Sequence, residues 1–192
     1  MKNIDIFSHY LLQDAFDFQW DTLLKEKVEN LLSNPKCLTH PEVPGGMSSL
    51  MINETMPHHW QELEPFIYWV VKKMPEIAKL WNLHPSRYEI MNSWFNCHPP
   101  GAMSTQHEHG SVDIVVSAYP RFPINGGKIQ FKDPLEYHWH GYPVAGSRNT
   151  FWHTADIEEN SVVIFPGWIK HRTEINTSTE NRYVLTVNLK IR

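Results

Sequence analysis

The sequence predicts an α+β fold, mainly β, in which N-terminal helices support an antiparallel sandwich or barrel. Residues 1–86 place apolar side chains at helical spacing between irregular, turn-rich stretches. Residues 87–192 instead alternate with a period of two and are divided by Pro and Gly turns. Helices followed by antiparallel strands are typical of a single α+β unit. We therefore interpret residues 1–192 as one domain, with helical support and loops in 1–86 and the β core in 87–192.

Two segments of the first half carry the helical pattern. Residues 11–32 and 61–83 each present an apolar stripe at a spacing of three or four residues. Met74 and Trp81 belong to the second stripe, and we interpret them as core residues. Pro75 lies inside this stripe and is expected to break or kink the helix, because proline lacks a backbone donor and clashes with the preceding turn.

The second half contains six predicted strands, separated by turn-forming residues. These strands are residues 88–95, 111–119, 127–133, 161–167, 168–175 and 182–191. One long connection, residues 132–158, has no clear strand period. Loops of that length in compact domains are usually functional or mobile.

Composition excludes several classes of protein. A hydrophobic content of 41% with 20% charged residues is that of a folded globular chain. The net charge of −4 supplies no basic field for nucleic acid or anionic membrane, and no apolar run approaches the length of a membrane span. Two cysteines cannot form a disulfide framework, and no signal peptide is evident, so we expect a cytoplasmic protein.

Three histidines are candidate metal ligands. In a strand, residues i and i+2 point to one face, so His107 and His109 can bind one ion together while Glu108 points away. An isolated pair of this kind is more often a surface feature. His171 makes a metal site more favoured than a surface feature. It follows a strand and a Pro-Gly turn, and this element can pair back across a sandwich so that His171 faces His107 and His109.

The last strand, residues 182–191, has two chemically different faces. One face is apolar or aromatic and is expected to meet the core or the helices. It contains Tyr183, Leu185, Val187 and Leu189. The other face carries a permanent cation and two hydrogen-bonding groups, which suits a polar cavity. It contains Arg182, Val184, Thr186 and Asn188.

The sequence resembles the Fe(II)/2-oxoglutarate-dependent dioxygenase superfamily. The resemblance rests on His107-x-His109, on the distal His171 and on a basic residue eleven positions later, Arg182. The resemblance covers about residues 60–192. It is closest to an uncharacterised bacterial and phage branch that carries HxH, where Trp94-x-Asn96 and an Arg-x5-Asn ending also match. It implies a double-stranded β-helix (a jelly roll, cupin-like) with N-terminal supporting helices.

The resemblance also implies a site and a reaction. Its metal ligands for Fe(II) are His107, His109 and His171. The far carboxylate of the co-substrate 2-oxoglutarate is expected at Arg182, assisted by Asn96 and Asn188, with His98 a weaker candidate. The implied reaction is hydroxylation of an unidentified small-molecule or peptidyl substrate with release of succinate and CO2, supported by ascorbate. No residue beyond the ligands is needed as acid or base.

The superfamily's usual second ligand is a carboxylate, and His109 stands in its place here. Three neutral imidazoles leave the site at about two positive charges, and imidazole also suits zinc and copper. Asp113 shares the predicted strand face of His109 and is an alternative ligand or a neighbour of the ligands. Glu108 is a second alternative if a bulge turns it inward.

Two other functions remain open. The first cupin motif fits Gly101 followed, after five residues, by His107-x-His109. The second cupin motif fits in part, through Pro166 before His171. A cupin-type dioxygenase or isomerase with a three-histidine site would retain metal without binding 2-oxoglutarate. A non-catalytic jelly-roll binding module would retain neither.

The long connection contributes further aromatic and histidine side chains. We interpret His138, His140 and His153 as lid or surface residues, because no regular strand holds them in place. The candidate residues for the substrate entrance are Tyr137, Trp139, Tyr142 and Trp152.

Overall fold

The computed structural model describes residues 10–52, 56–83, 87–134 and 151–192. Its strands are β1 (Leu12–Ala15), β2 (Met47–Ser48), β3 (Tyr88–His98), β4 (Ile114–Arg121), β5 (Ile129–Lys132), β6 (Trp152–Thr154), β7 (Ser161–Pro166), β8 (His171–Thr173) and β9 (Arg182–Ile191). Its α-helices are α1 (Leu23–Leu32) and α2 (Glu64–Leu80). Short 3-10 helices span Pro35–Thr39, Ser49–Met51, Pro57–His59 and Gln61–Leu63.

The strands form two antiparallel sheets. The larger sheet has the order β1-β7-β4-β9-β3-β2, and the smaller has the order β6-β5-β8. Side chains from β4, β7 and β9 of the larger sheet form one buried cluster with Ile129 and Phe131 of the smaller sheet, so the two sheets face each other. This is the predicted α+β, mainly β, jelly-roll fold.

The two α-helices cover the outer face of the larger sheet. Val28 of α1 and Val70 of α2 are fully buried in the same cluster as Leu185 and Val187 of β9. Helices on one face and the small sheet on the other leave the strands of the large sheet buried on both sides.

Strand β9 follows the predicted alternation. Its apolar face, which includes Tyr183 and Leu185, belongs to the helix-side core. Val184 belongs instead to the cluster between the sheets. Arg182 and Asn188 share the parity of Val184, and both are buried. The polar face of β9 therefore lies between the two sheets, as predicted.

The predicted helix over residues 11–32 is wrong in its first half. Residues 12–15 form the edge strand β1, which pairs with β7 in the register Leu12 to Ile164. Ladder hydrogen bonds to an exposed sheet edge outweigh the weak helical preference of these residues. The helix begins only after Thr22, whose side chain accepts a hydrogen bond from the backbone N–H of Leu24 and caps α1.

Pro75 does not break the second helix, which is continuous from Glu64 to Leu80. Pro75 lies on the exposed side of α2. The carbonyl that loses its partner belongs to Val71, a residue that is 45% exposed, so water can hydrate this group. The core assignments of this helix are confirmed, with Met74 fully buried and Trp81 packed against the same cluster.

The connection over residues 132–158 contains a strand that the sequence did not predict. Strand β6 pairs with β5 in the register Lys132 to Trp152, and its three residues are too few to show a period of two. Residues 135–150 lie outside the described part of the chain. Within the described residues, no helix has both the length and the apolar character needed to cross a bilayer.

Candidate metal centre

The three predicted histidines lie together in the structure. The nitrogens that His107, His109 and His171 offer as ligands are all within 4.8 Å of one another. The ring centroids of His107 and His171 are 4.3 Å apart, and those of His109 and His171 are 5.1 Å apart. Three imidazoles at this spacing can bind one divalent first-row metal ion.

Main-chain pairing brings the two histidine segments together. His107 and His171 form an antiparallel bridge, with N–H to carbonyl distances of 3.0 and 2.9 Å, and the N–H of His109 donates to the carbonyl of Gly167 at 2.9 Å. The HxH segment forms an isolated bridge at His107 and precedes β4, which begins at Ile114 and not at the predicted residue 111. The rings of His107 and His109 nevertheless stack with centroids 5.5 Å apart, so they lie on the same side of the segment.

Each ring is held in the tautomer that a metal needs. The Nδ1 of His107 lies 2.7 Å from the carbonyl oxygen of Thr105, and the Nδ1 of His171 lies 3.0 Å from that of Ile169. The Nδ1 of His109 lies 2.7 Å from Oδ1 of Asn188. Because these oxygens only accept, each Nδ1 carries the proton and donates it, which leaves a lone pair on each Nε2.

Burial keeps two of the rings uncharged. It lowers the pKa of His109 to about 4, although the hydrogen bond to Asn188 acts in the opposite direction. Burial also lowers the pKa of His171 well below its ordinary value, and the neighbouring histidines lower it further. At neutral pH both rings are therefore neutral, which is the form that binds metals.

His107 and His109 line a cavity of about 140 Å³. Asn92, Trp94 and Asn96 on β3 also line this cavity, as does His40. The ring of Trp94 stacks on His109 with centroids 5.6 Å apart. Two larger surface grooves, of about 740 and 790 Å³, contain none of the three histidines, so the cluster itself locates the chemistry in the smaller cavity.

Neither alternative carboxylate belongs to the cluster of ligand atoms, although Glu108 lines the same cavity. Asp113 accepts hydrogen bonds from Nζ of Lys190 at 3.1 Å and from the backbone N–H of Ile191 at 2.8 Å. Glu108 is exposed, and its carboxylate is not among the clustered ligand atoms. The structure thus brings the three histidines together without either carboxylate.

Arg182 is fully buried between the sheets. Its Nη1 donates to the carbonyl of Gly126 at 2.6 Å and to that of Gly127, and its Nη2 donates to Oγ1 of Thr173 at 2.9 Å. Its Nε is buried without a hydrogen-bond partner among the described residues. Burial lowers the pKa of Arg182 to about 10, so the group remains a cation at neutral pH.

Gly127 is essential to this arrangement. Its φ of +82° lies in the left-handed region that favours glycine, and an added Cβ would lie 2.8 Å from Nη1 of Arg182. The Gly-Gly pair in the sequence was the signal for this turn. Thr173 was missed, although it stands two residues after His171 and therefore shares its side of β8.

His98 lies directly opposite Arg182 in the pairing of β3 with β9. Its Nε2 is 2.8 Å from Oγ of Ser104, whereas its Nδ1 is buried without a partner among the described residues. Asn96 lines the metal cavity, and its Oδ1 is also buried without a described partner. These two residues therefore lie next to the site but have unused hydrogen-bonding capacity.

His40 was missed by the sequence analysis. It lies among turn residues far along the chain from the other histidines, and no periodic pattern marks it. Its Nδ1 accepts a hydrogen bond from the backbone N–H of Glu42 at 3.2 Å. The proton is then on Nε2, so His40 has the tautomer opposite to that of the three clustered rings.

The long connection is described only in part. The guanidinium of Arg172 lies 3.9 Å from the centroid of the Trp152 ring on β6, and His153 is exposed on the same strand. The other candidate residues of this loop lie outside the described part of the chain. They are Tyr137, His138, Trp139, His140 and Tyr142.

Similar folds occur in several solved structures. A prolyl-4-hydroxylase from Pseudomonas putida is 13% identical, with a TM-score of 0.66 over 96% of this chain and 94% of that one. The viral collagen prolyl hydroxylase of Paramecium bursaria Chlorella virus-1, in complex with 2OG, is 11% identical, with a TM-score of 0.60 over 95% and 97%. HygX from Streptomyces hygroscopicus, with nickel and 2-oxoglutarate bound, is 9% identical, with a TM-score of 0.60 over 95% and 83%. Identities this low show a shared fold alone.

Sequence comparison identifies the family. A comparison with curated proteins gave no match. A family model described as "Putative 2OG-Fe(II) oxygenase" matches residues 92–188. This range is half of the chain, runs from within β3 to within β9, and contains all three histidines together with Arg182. The chain therefore belongs to the 2OG-Fe(II) oxygenase family.

Proposed function

We propose that the chain hydroxylates its substrate through Fe(II) bound by His107, His109 and His171, with release of succinate and CO2. As a member of its family, the protein is an Fe(II)- and 2-oxoglutarate-dependent oxygenase; the proposal adds the ligand set and the outcome. One observation carries it. One ligand nitrogen from each of the three histidines lies within 4.8 Å of the others, while each Nδ1 has an oxygen acceptor, which leaves Nε2 free to bind the metal.

The donor set fits Fe(II). Three neutral imidazoles suit a divalent first-row metal, and they leave its charge uncompensated, which favours a dianionic co-substrate. When bound, the iron supplies the oxidising chemistry that couples decarboxylation of 2-oxoglutarate to attack on a C–H bond. The protein's own contribution is to fix the three rings and to exclude water with the walls of the small cavity.

Arg182 is proposed to bind the far carboxylate of 2-oxoglutarate. Among the described residues, its hydrogen-bond partners are all neutral oxygens. A buried cation without an anion is costly, and its Nε still lacks an acceptor. A carboxylate would supply both the missing charge and the missing acceptor. Asn96 and His98 lie beside this position and are proposed to assist.

The substrate is proposed to be peptidyl or a small molecule. Among proteins of similar fold, two are named prolyl hydroxylases, and HygX has been solved with hygromycin B bound. The substrate would approach the cavity from the side of His40, which lines the cavity and carries its proton on Nε2. We also propose a cytoplasmic location, because of the charge and the cysteine content of the chain.

Two matched substitutions test the proposal. His171→Ala should abolish Fe(II) retention and succinate release, because the site loses one ligand of three, whereas His59→Ala on the surface should change neither. Arg182→Lys should retain Fe(II) but bind 2-oxoglutarate more than about tenfold more weakly, because lysine lacks the planar fork. Arg121→Lys, at an exposed ion pair, is its control.

The measurements are anaerobic Fe(II) titration, calorimetric titration of 2-oxoglutarate, and succinate release with Fe(II) and ascorbate. Circular dichroism of each variant confirms that it is folded. Metal retention without 2-oxoglutarate binding in the wild-type protein would overturn the proposal in favour of a cupin-type enzyme. Failure to bind either would favour a non-catalytic binding module.

A further inference from the structure

We infer that Asn188 is a positioning residue for the metal site, whose side-chain oxygen holds His109 in the tautomer that can bind metal. This inference rests on the proposed ligand set. The sequence resemblance instead implied that Asn188 assists in binding 2-oxoglutarate. In the structure, its Oδ1 is the acceptor for Nδ1 of His109 at 2.7 Å.

The three histidines obtain their acceptors in two different ways. His107 and His171 each donate from Nδ1 to the main-chain carbonyl two residues earlier, at Thr105 and Ile169. For His109 the equivalent carbonyl belongs to His107. That carbonyl already accepts the backbone N–H of His171 in the bridge that joins the two segments. His109 therefore takes its acceptor from a side chain.

Asn188 is held rigidly enough for this role. It is 5% exposed, and β9 places it between Asn92 on β3 and Val115 on β4. Its backbone is thus fixed by ladder pairing on both sides. A short hydrogen bond from a rigid strand fixes both the rotation of the His109 ring and the position of its proton.

The position of the proton decides whether His109 can be a ligand. A neutral imidazole carries one proton, and a ring with that proton on Nε2 has no lone pair facing the metal. Residues that orient metal ligands in this way typically contribute about 10- to 100-fold to metal affinity. A carboxylate at position 109 would need no such partner, because both of its oxygens accept. The need for Asn188 is therefore specific to histidine at this position.

The tautomer can be observed without metal. Long-range ¹H–¹⁵N spectra of the metal-free protein should show the Nδ1–H form for all three rings in the wild type. In Asn188→Leu, His109 should shift toward the Nε2–H form, while His107 and His171, which use main-chain acceptors, should not change. An unchanged His109 tautomer would overturn the inference.

Metal affinity provides the second test, by anaerobic titration with Fe(II). Asn188→Leu should weaken binding by about 10- to 100-fold, and Asn188→Asp, which keeps an acceptor, should not. Asn181→Leu makes the same chemical change just before β9, where the side chain donates to the hydroxyl of Tyr183 and not to a histidine, and should stay within about threefold of the wild type. In the His109→Asp background, Asn188→Leu should have little effect on metal affinity.

The outcomes separate this inference from the proposed function. If His109→Ala leaves Fe(II) affinity at the wild-type value, the proposed ligand set fails. If His109→Ala abolishes binding but Asn188→Leu does not weaken it, the ligand set stands and the role of Asn188 is wrong. If Asn188→Leu reduces Fe(II) affinity equally with His and with Asp at position 109, the effect is a general structural one, and this outcome would also overturn the inference.

Discussion

The two faces of β9 are almost equally buried and do different things. Leu185 and Val187 on one face are fully buried against the helices. Arg182 and Asn188 on the other face are 0% and 5% exposed, and their side chains make directed hydrogen bonds to neighbouring groups. Burial therefore does not distinguish the stabilising face from the functional one.

The chemistry of the buried atoms does distinguish them. Apolar side chains stabilise the fold in proportion to the area that they remove from water, without directional requirements. Buried polar side chains stabilise only when each donor and acceptor has a partner. On the cavity face not every buried polar atom has a hydrogen-bond partner, since Nε of Arg182 has none among the described residues. A buried polar atom without a partner on an otherwise well-packed strand is a candidate position for a ligand.

The largest effect predicted from this comparison is on stability, at the apolar face. Leu185→Ala should lower the free energy of unfolding by about 2–5 kcal/mol, because it leaves a cavity in a fully buried cluster. The adjacent Thr186→Ala, on the cavity face, should cost roughly 1 kcal/mol. Urea denaturation of both variants measures the difference.

Metal affinity completes that test. At urea concentrations below its unfolding transition, the Leu185→Ala variant should bind Fe(II) with the affinity of the wild type, because Leu185 contacts the helices and not the histidines. A larger stability loss from Thr186→Ala than from Leu185→Ala would contradict the division between the two faces.

Sequence patterns predicted this division because alternation is a local property. The six strands and the two faces of β9 follow from periods of two, whereas the ligand set of His107, His109 and His171 was implied by the family resemblance. The partner of His109 does not follow from any local pattern. The contact between Nδ1 of His109 and Asn188 depends on the register of β9 with β4, which no single segment encodes.

The errors have a similar origin. Residues 12–15 carry an acceptable helical pattern, but the free edge of β7 offers them ladder hydrogen bonds. Pro75 breaks a helix only where its lost hydrogen bond cannot be replaced by water, and that depends on which side of α2 is exposed. Both outcomes are decided by tertiary surroundings and not by the segment itself.

An intermediate effect is predicted at the base of the cavity face, on co-substrate affinity. Gly127→Ala should weaken 2-oxoglutarate binding by about tenfold, or roughly 1.4 kcal/mol, because the new methyl group would collide with the carbonyl oxygens of Glu174 and Ile175 and with Nη1 of Arg182, so that the turn holding the guanidinium must shift. Fe(II) affinity should not change, because the histidines use other acceptors. Calorimetric titration of each ligand measures both affinities.

Gly101→Ala is the matched control for this variant. The φ of Gly101 is +86°, close to the +82° of Gly127, so both substitutions introduce similar backbone strain. An added Cβ at Gly101 meets no atom within 4 Å. Equal loss of 2-oxoglutarate affinity in the two variants would attribute the effect to strain and would remove the support for Arg182 as the anchor.

The smallest effect is predicted at the end of β9, at the ion pair of Asp113 with Lys190. These side chains are 36% and 30% exposed, so Asp113→Asn should cost less than about 1 kcal/mol of stability. Added salt should reduce the difference further, because exposed charges are screened. Asp156→Asn, at a more exposed pair with Lys128, is the control.

Fe(II) affinity should be unchanged in both variants, because the Asp113 carboxylate already accepts hydrogen bonds from Lys190 and from the N–H of Ile191. A more than tenfold loss of Fe(II) affinity in Asp113→Asn alone would make this carboxylate a ligand in place of His109. The functional surface would then extend past the cavity face of β9, and the division between the two faces would no longer describe the site.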